Sequence, residues 1–229
     1  MQYQVFNENT GELVAWIDTK KKDAVCMKGF DVKRGKNLTV HEENDLEKVD
    51  NSILFSIVSK NEWRRALDSE ISKGSKIITE EDISYYTYSN IRLPKRATVG
   101  SAGYDFINPF NHTIEIPPRG NVVIPTGIRC KMPVNVVLSI YPRSGLGFKH
   151  GIHLANTVGI IDSDYFGNVD NEGHIMCKLV NPTDNKVVIE RGVAFAQGVF
   201  TNYLTIVNDS VDVKRVGGLG STDNSCKPE

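Results

Sequence analysis

A mainly β fold is predicted, an antiparallel barrel over residues 84–222 joined to a small α+β module over residues 1–83, and three observations carry it. Short β-branched runs recur at close intervals in the second part, at 121–129, 134–141, 173–180, 186–189 and 193–200. Proline and glycine turns, such as those at 117–120 and 125–127, punctuate them, the pattern of a sandwich or barrel of antiparallel strands. No helix is needed between residues 92 and 222 to account for the pattern.

The first part is charged and mixed in type, and its elements come in order. Tyr3, Val5 and Phe6, then Leu13, Ala15 and Ile17, flank Asn9, Thr10 and Gly11, which predicts a hairpin. Residues 53–58 predict a further strand. Residues 61–74 predict a helix with a polar cap at Ser59 or Asn61, apolar Trp63, Ala66, Leu67 and Ile71 on one face, and Gly74 as the stop. Lys20, Lys21 and Lys22, and the group Lys33, Arg34 and Lys36, are read as solvated surface.

A chain of 229 residues accommodates one domain or two. Its net charge of −1 supplies no basic field toward nucleic acid or an acidic membrane surface, so a polyanionic ligand has to be held locally. Cys26, Cys130, Cys177 and Cys226 form no Cys-x-x-Cys pair, which argues against a zinc site or a disulfide framework and for a reducing cytoplasm. The start has no basic region followed by an apolar run, and no window of about 18 apolar residues predicts a membrane span. The five histidines, His150 and His153 among them, show no metal-binding pattern and are read as structural or exposed.

The most informative segment is 156–167. Val158, Ile160 and Ile161 give it strand character, whereas Asp162, Ser163, Asp164 and Gly167 are turn formers, so it reads as a strand running into a tight hairpin with Asp162 at the reversal. Taken alone, Asp-Ser-Asp is an ordinary turn. Its company changes the reading: residues 102–106, 142–146, 156–167, 191–197 and 215–222 are five clusters, each in a turn or at a strand end.

In order, spacing and content these clusters resemble the trimeric dUTPase family, over residues 91–222. The resemblance implies a dUTPase-like β-barrel or jelly roll and a Mg²⁺-dependent dUTP diphosphatase, a hydrolase of nucleotide metabolism that forms dUMP and pyrophosphate. It implies a homotrimer with active sites at subunit interfaces. Asp162 is then the base that activates the attacking water. Arg143, Ser144 and Gly145 combine guanidinium, hydroxyl and backbone donors suited to phosphate. Asn156, Gly159, Ile160, Ile161 and Met176 stand where the family reads uracil, and Tyr165 where a ring packs on the deoxyribose. Asp105 and Gln197 match groups that hold Mg²⁺ through water. Arg215, Leu219, Gly220, Ser221 and Thr222 belong to a tail that closes over substrate at a neighbouring subunit.

Two departures accompany the resemblance. Leu219 stands where the family usually has an aromatic that stacks on the base, and residues 168–173 form a longer turn than usual. The basic residue before the glycine pair is Lys214 or Arg215; guanidinium favours Arg215 for bidentate phosphate contact. Two further functions compete, a dCTP deaminase on the same barrel, which would need a deaminating glutamate, and a nucleotide-binding regulatory protein that engages an unknown protein partner through the amino-terminal module.

Overall fold

The computed structural model describes the backbone of residues 2–6, 13–18 and 23–26, together with residues 52–83, 85–211, 213, 215 and 217. The chain divides into two compact units, residues 1–50 and 51–229. The first contains β1 (Gln2–Phe6), β2 (Leu13–Asp18) and β3 (Asp23–Cys26), antiparallel in that order. Phe6 pairs with Leu13, so the strands of the predicted hairpin are present, and β3 is an addition to it. The hairpin's turn and both lysine-rich groups lie outside the described residues.

The boundary expected at residue 83 falls inside the second unit, for a physical reason. Strand β4 (Leu54–Ile57) pairs with β9 (Ile128–Lys131), from Leu54 opposite Lys131 to Ile57 opposite Ile128. Helix α1 (Lys60–Ser72) starts where the Ser59 side chain accepts the Glu62 N–H, and Gly74 comes after it at φ +84°, in the left-handed region that glycine enters without a Cβ clash. Trp63, Ala66 and Leu67 are buried, and Trp63 and Leu67 belong to the same apolar cluster as Leu138, Ile140 and Phe195. Ile71, expected on that face, is exposed. Residues 54–72 are therefore part of the β unit's core.

The remaining strands are β5 (Lys95–Arg96), β6 (Tyr104–Ile107), β7 (Ile114–Ile116), β8 (Asn121–Pro125), β10 (Val136–Pro142), β11 (His153–Leu154), β12 (Gly159–Ile161), β13 (Met176–Val180), β14 (Val187–Ile189) and β15 (Ala194–Asn202). All pairings are antiparallel. The largest sheet has the order β12-β10-β15-β6-β5; a second has β11-β13-β8, and β14 pairs with β7. Gly198 lies closely packed in the large sheet, since a Cβ there would stand 2.7 Å from Leu138 Cδ1 and 3.1 Å from Phe106 Cε2.

Three local features differ from expectation. The run 121–129 is split into β8 and β9 by Gly127, at φ +73°. A short helix α3 (Ser144–His150), which comes after the single-turn helix α2 (Tyr85–Ser89), stands where none was needed and ends at Gly151, φ +65°. Strand β12 pairs with β10 rather than forming a hairpin with the next segment, and the chain continues from Asp162 into a 3-10 turn, Ser163–Tyr165. The sharp reversal lies upstream instead, where Leu154 bridges Thr157 and Thr157 sits at φ +65°, a strained value for a β-branched residue.

Candidate active site

Asn156, Gly159, Ile160, Ile161, Tyr165 and Met176 line one cavity of about 60 Å³ together with Ile140, Leu154 and Cys177. The sheet explains how they meet. Strand β12 is the edge of its sheet, so alternate N–H and C=O groups along it face away from β10. At Gly159 the backbone lies against Ile140, and a Cβ would come within 3.1 Å of Ile140 Cβ. The cavity is far smaller than the few hundred Å³ of a complete small-molecule site; it accommodates one part of a ligand.

Tyr165 is buried, and both hydrogen-bonding capacities of its phenol are engaged. Its O–H donates to the His174 carbonyl at 3.1 Å, and Asn171 Nδ2 donates to the phenol oxygen at 2.7 Å. The Arg215 guanidinium lies over the ring, 5.6 Å from its centre.

Asp162 stands beside this cavity. Its backbone is extended, and its carbonyl accepts the Tyr165 N–H at 3.2 Å. Arg215 Nη2 donates to Asp162 Oδ2, and Arg215 Nε donates to Asp164 Oδ1 at 2.9 Å. Burial pushes the Asp162 carboxyl above its ordinary value; Arg215 opposes this, and the neighbouring Asp164 charge adds to it. The net result is a half-exposed carboxylate of increased proton affinity.

A second group sits further across the large sheet. Asp105 of β6 is opposite Gln197 of β15, which is opposite Tyr141 of β10. Arg143, one residue past β10, donates from Nη1 to Asp105 Oδ1 at 2.8 Å. Gln197 Nε2 donates to the Pro142 carbonyl at 3.3 Å, and its Oε1 lies where a Cβ on Gly103 would approach to 2.6 Å. Ser144 and Gly145 open α3, and the N–H groups of Leu146 and Gly147 donate to the Arg143 carbonyl, each at 3.0 Å. Guanidinium, hydroxyl and backbone donors thus occur together, and they suit an anion.

Asp105 and the cavity strand stand apart in the large sheet. Ile161 is opposite Leu138, whereas Asp105 is in register with Tyr141 two strand spacings away, so three spacings and a three-residue offset separate Asp105 from Ile161. At about 4.8 Å per spacing and about 3.4 Å per residue, Asp105 and Ile161 are on the order of 18 Å apart along the sheet.

Among the described residues no three His, Cys, Asp or Glu side chains cluster as a cage for a metal ion. The oxygens of Asp105 and Gln197 on adjacent strands suit a hydrated hard cation better than a directly ligated one. Cys130 and Cys177 are buried free thiols whose burial pushes each up to about 12, which removes them from nucleophilic chemistry. Lys214, Leu219, Gly220, Ser221 and Thr222 lie outside the described residues; Arg215 is described, and it contacts Asp162, Asp164 and Tyr165. Sequence reasoning missed His174, Asn171 and Glu62, which hold Tyr165 from behind. Glu62 and His174 are 112 residues apart, and no local pattern links them.

The dUTPase family model matches residues 89–223. Deoxyuridine 5'-triphosphate nucleotidohydrolase of Lactococcus lactis subsp. lactis is 42% identical over 149 residues, 64% of this chain and 98% of the relative. The enzyme of the same name from Finegoldia magna is 37% identical over 139 residues, 58% of this chain and 93% of the relative. The crystal structure of dUTPase from Streptococcus mutans aligns at 36% identity and a TM-score of 0.48, over 66% of this chain and 97% of that one.

Proposed function

Because this chain belongs to the dUTPase family and is a dUTP diphosphatase, we propose that it cleaves dUTP through a water activated by Asp162. The carboxylate takes a proton from the water as its oxygen bonds to the α-phosphorus. The bond from that phosphorus to the bridging oxygen breaks in line, and pyrophosphate leaves with the electron pair. The observation that carries this reading is the position of Asp162, a carboxylate of raised proton affinity beside the cavity lined by Gly159, Ile161 and Tyr165. Base strength alone is modest in a carboxylate, so positioning and charge neutralisation supply most of the rate.

Uracil is read by the outward edge of β12, with Asn156, Ile160 and Met176 around it. A strand edge offers alternating donors and acceptors that match uracil and oppose cytosine's amino group. The Tyr165 ring packs on the deoxyribose, where a ribose hydroxyl would collide. Arg143, Ser144 and Gly145 take phosphate oxygens. Mg²⁺ on the triphosphate would neutralise part of its charge, and Asp105 and Gln197 are the residues suited to hold its waters. Arg215 and the tail residues Leu219, Gly220, Ser221 and Thr222 cover the substrate and exclude solvent.

The working assembly in this reading is a homotrimer. One observation supports it: Leu204, Ile206, Val207 and Val211 are apolar side chains exposed to solvent on the approach to the tail.

Pyrophosphate release from dUTP, dCTP, dTTP and UTP with Mg²⁺ tests the reading. It predicts release from dUTP far above the other three. Ammonia release from dCTP would instead support the deaminase.

A further inference from the structure

A chain of buried hydrogen bonds runs from helix α1 to the ring at the cavity. Glu62, in the first turn of α1, is 5% exposed. Its Oε1 accepts from Arg65 Nη2 at 2.9 Å, and His174 Nδ1 stands 2.9 Å from the same oxygen. His174 is wholly buried, and its Nε2 accepts the Gly127 N–H at 2.8 Å. That acceptor role places the ring proton on Nδ1, directed at Glu62. The imidazole is thus held at both nitrogens. The backbone carbonyl of the same histidine receives the Tyr165 O–H.

A second tie runs in parallel. Ser59, the cap of α1, donates its N–H to Glu172 Oε2 at 2.9 Å, and Arg129 Nη1 donates to that oxygen at 3.0 Å. Glu172 stands in the long turn beside Asn171, the other partner of the Tyr165 phenol. Residues 59–65 precede the segment matched by the family model, 89–223. They nevertheless reach the residues directly behind the Tyr165 ring. A buried carboxylate is costly unless paired and hydrogen-bonded, and Glu62 is both, which makes it a rigid anchor.

We propose that Glu62 is a positioning residue for sugar selection: by fixing His174 it sets where the Tyr165 ring stands, and thereby how strongly dUTP is preferred to UTP. The inference rests on the reading of Tyr165 as the ring that packs on deoxyribose. It gives the amino-terminal helix a role in specificity.

The test compares kcat/KM for dUTP and UTP in the full-length chain, with thermal unfolding measured alongside. Glu62→Ala removes the acceptor for His174 and lowers the dUTP/UTP ratio by about tenfold. Glu62→Gln keeps an acceptor oxygen and retains a ratio near that of the unaltered enzyme. An alanine variant that is folded, with an unchanged ratio, overturns the proposal, even if its melting temperature falls. If Glu62→Ala does not fold, Tyr165→Phe decides: it keeps the ring, cuts its bond to the His174 carbonyl, and must lower the same ratio, an unchanged ratio being fatal to the proposal. An unaltered enzyme that releases no pyrophosphate from dUTP would sink the function itself; one that hydrolyses dUTP and UTP equally would sink the sugar-facing role of Tyr165.

Discussion

Arg215 and Asp162 are in direct contact: the guanidinium Nη2 donates to Oδ2 of the carboxylate, 53 residues away in sequence. The same guanidinium holds Asp164 and lies over the Tyr165 ring. One cation therefore covers both the carboxylate proposed as the base and the ring proposed to face the sugar. Triphosphate oxygens that draw Arg215 onto themselves would uncover the Asp162 carboxylate for water.

The charge arrangement sets a pH dependence. Asp162 titrates above an ordinary aspartate because of burial first, with the Asp164 charge adding to it against Arg215, and only its ionised form accepts a proton. With Asp162 as the proposed base, activity should therefore be lost as pH falls through that raised value. Asp164→Asn removes one raising influence and should move the acid limb of the kcat/KM profile to lower pH. A limb that stays in place would show that another group controls it.

Leu67 is fully buried in the core that α1 shares with the strands. Leu67→Ala should destabilise the β unit by roughly 2–5 kcal/mol, the cost of a buried leucine and its residual cavity. Urea denaturation measures this. A loss near zero would mean that residues 51–83 fold apart from the strands, as the chain's composition suggests.

Gly173 adopts φ +80°, and a Cβ there would overlap the Tyr165 carbonyl oxygen and stand 3.0 Å from Phe166 Cα. Both clashing groups are backbone and neither can turn aside. Gly173→Ala should cost about 2 kcal/mol or more and weaken dUTP binding through Tyr165. Equal stability and equal KM would contradict the packing described for this turn.

Much of this architecture is legible in the sequence, and the limits have physical causes. The short β-branched, apolar runs at 134–141 and 193–200 identify β10 and β15 as strands, and Ser59 and Gly74 bracket α1. Helix α3 is hidden because Gly145 and Gly147 lower helix propensity, and it depends on its tertiary setting. The cavity residues Asn156, Gly159, Ile160, Ile161, Tyr165 and Met176 are legible through the family resemblance, whereas the local pattern alone gives a strand and a turn and misplaces the reversal, which lies at Thr157. The pairing of Glu62 with His174 and the separation of Asp105 from Ile161 are products of strand register and long-range packing, which no window of sequence encodes.

The most direct test of Asp162 as the base is pyrophosphate release from dUTP with Mg²⁺ by the Asp162→Asn variant, with dUTP binding measured in parallel. Asparagine matches the size of the side chain and removes its capacity to take a proton. Because the carboxyl's value is raised in the folded chain, its charge costs stability above that value and the cost is relieved as pH falls through it; the variant should therefore melt no lower at neutral pH. The expected result is turnover reduced by about three orders of magnitude or more with dUTP still bound, whereas turnover near that of the unaltered enzyme would contradict the assignment.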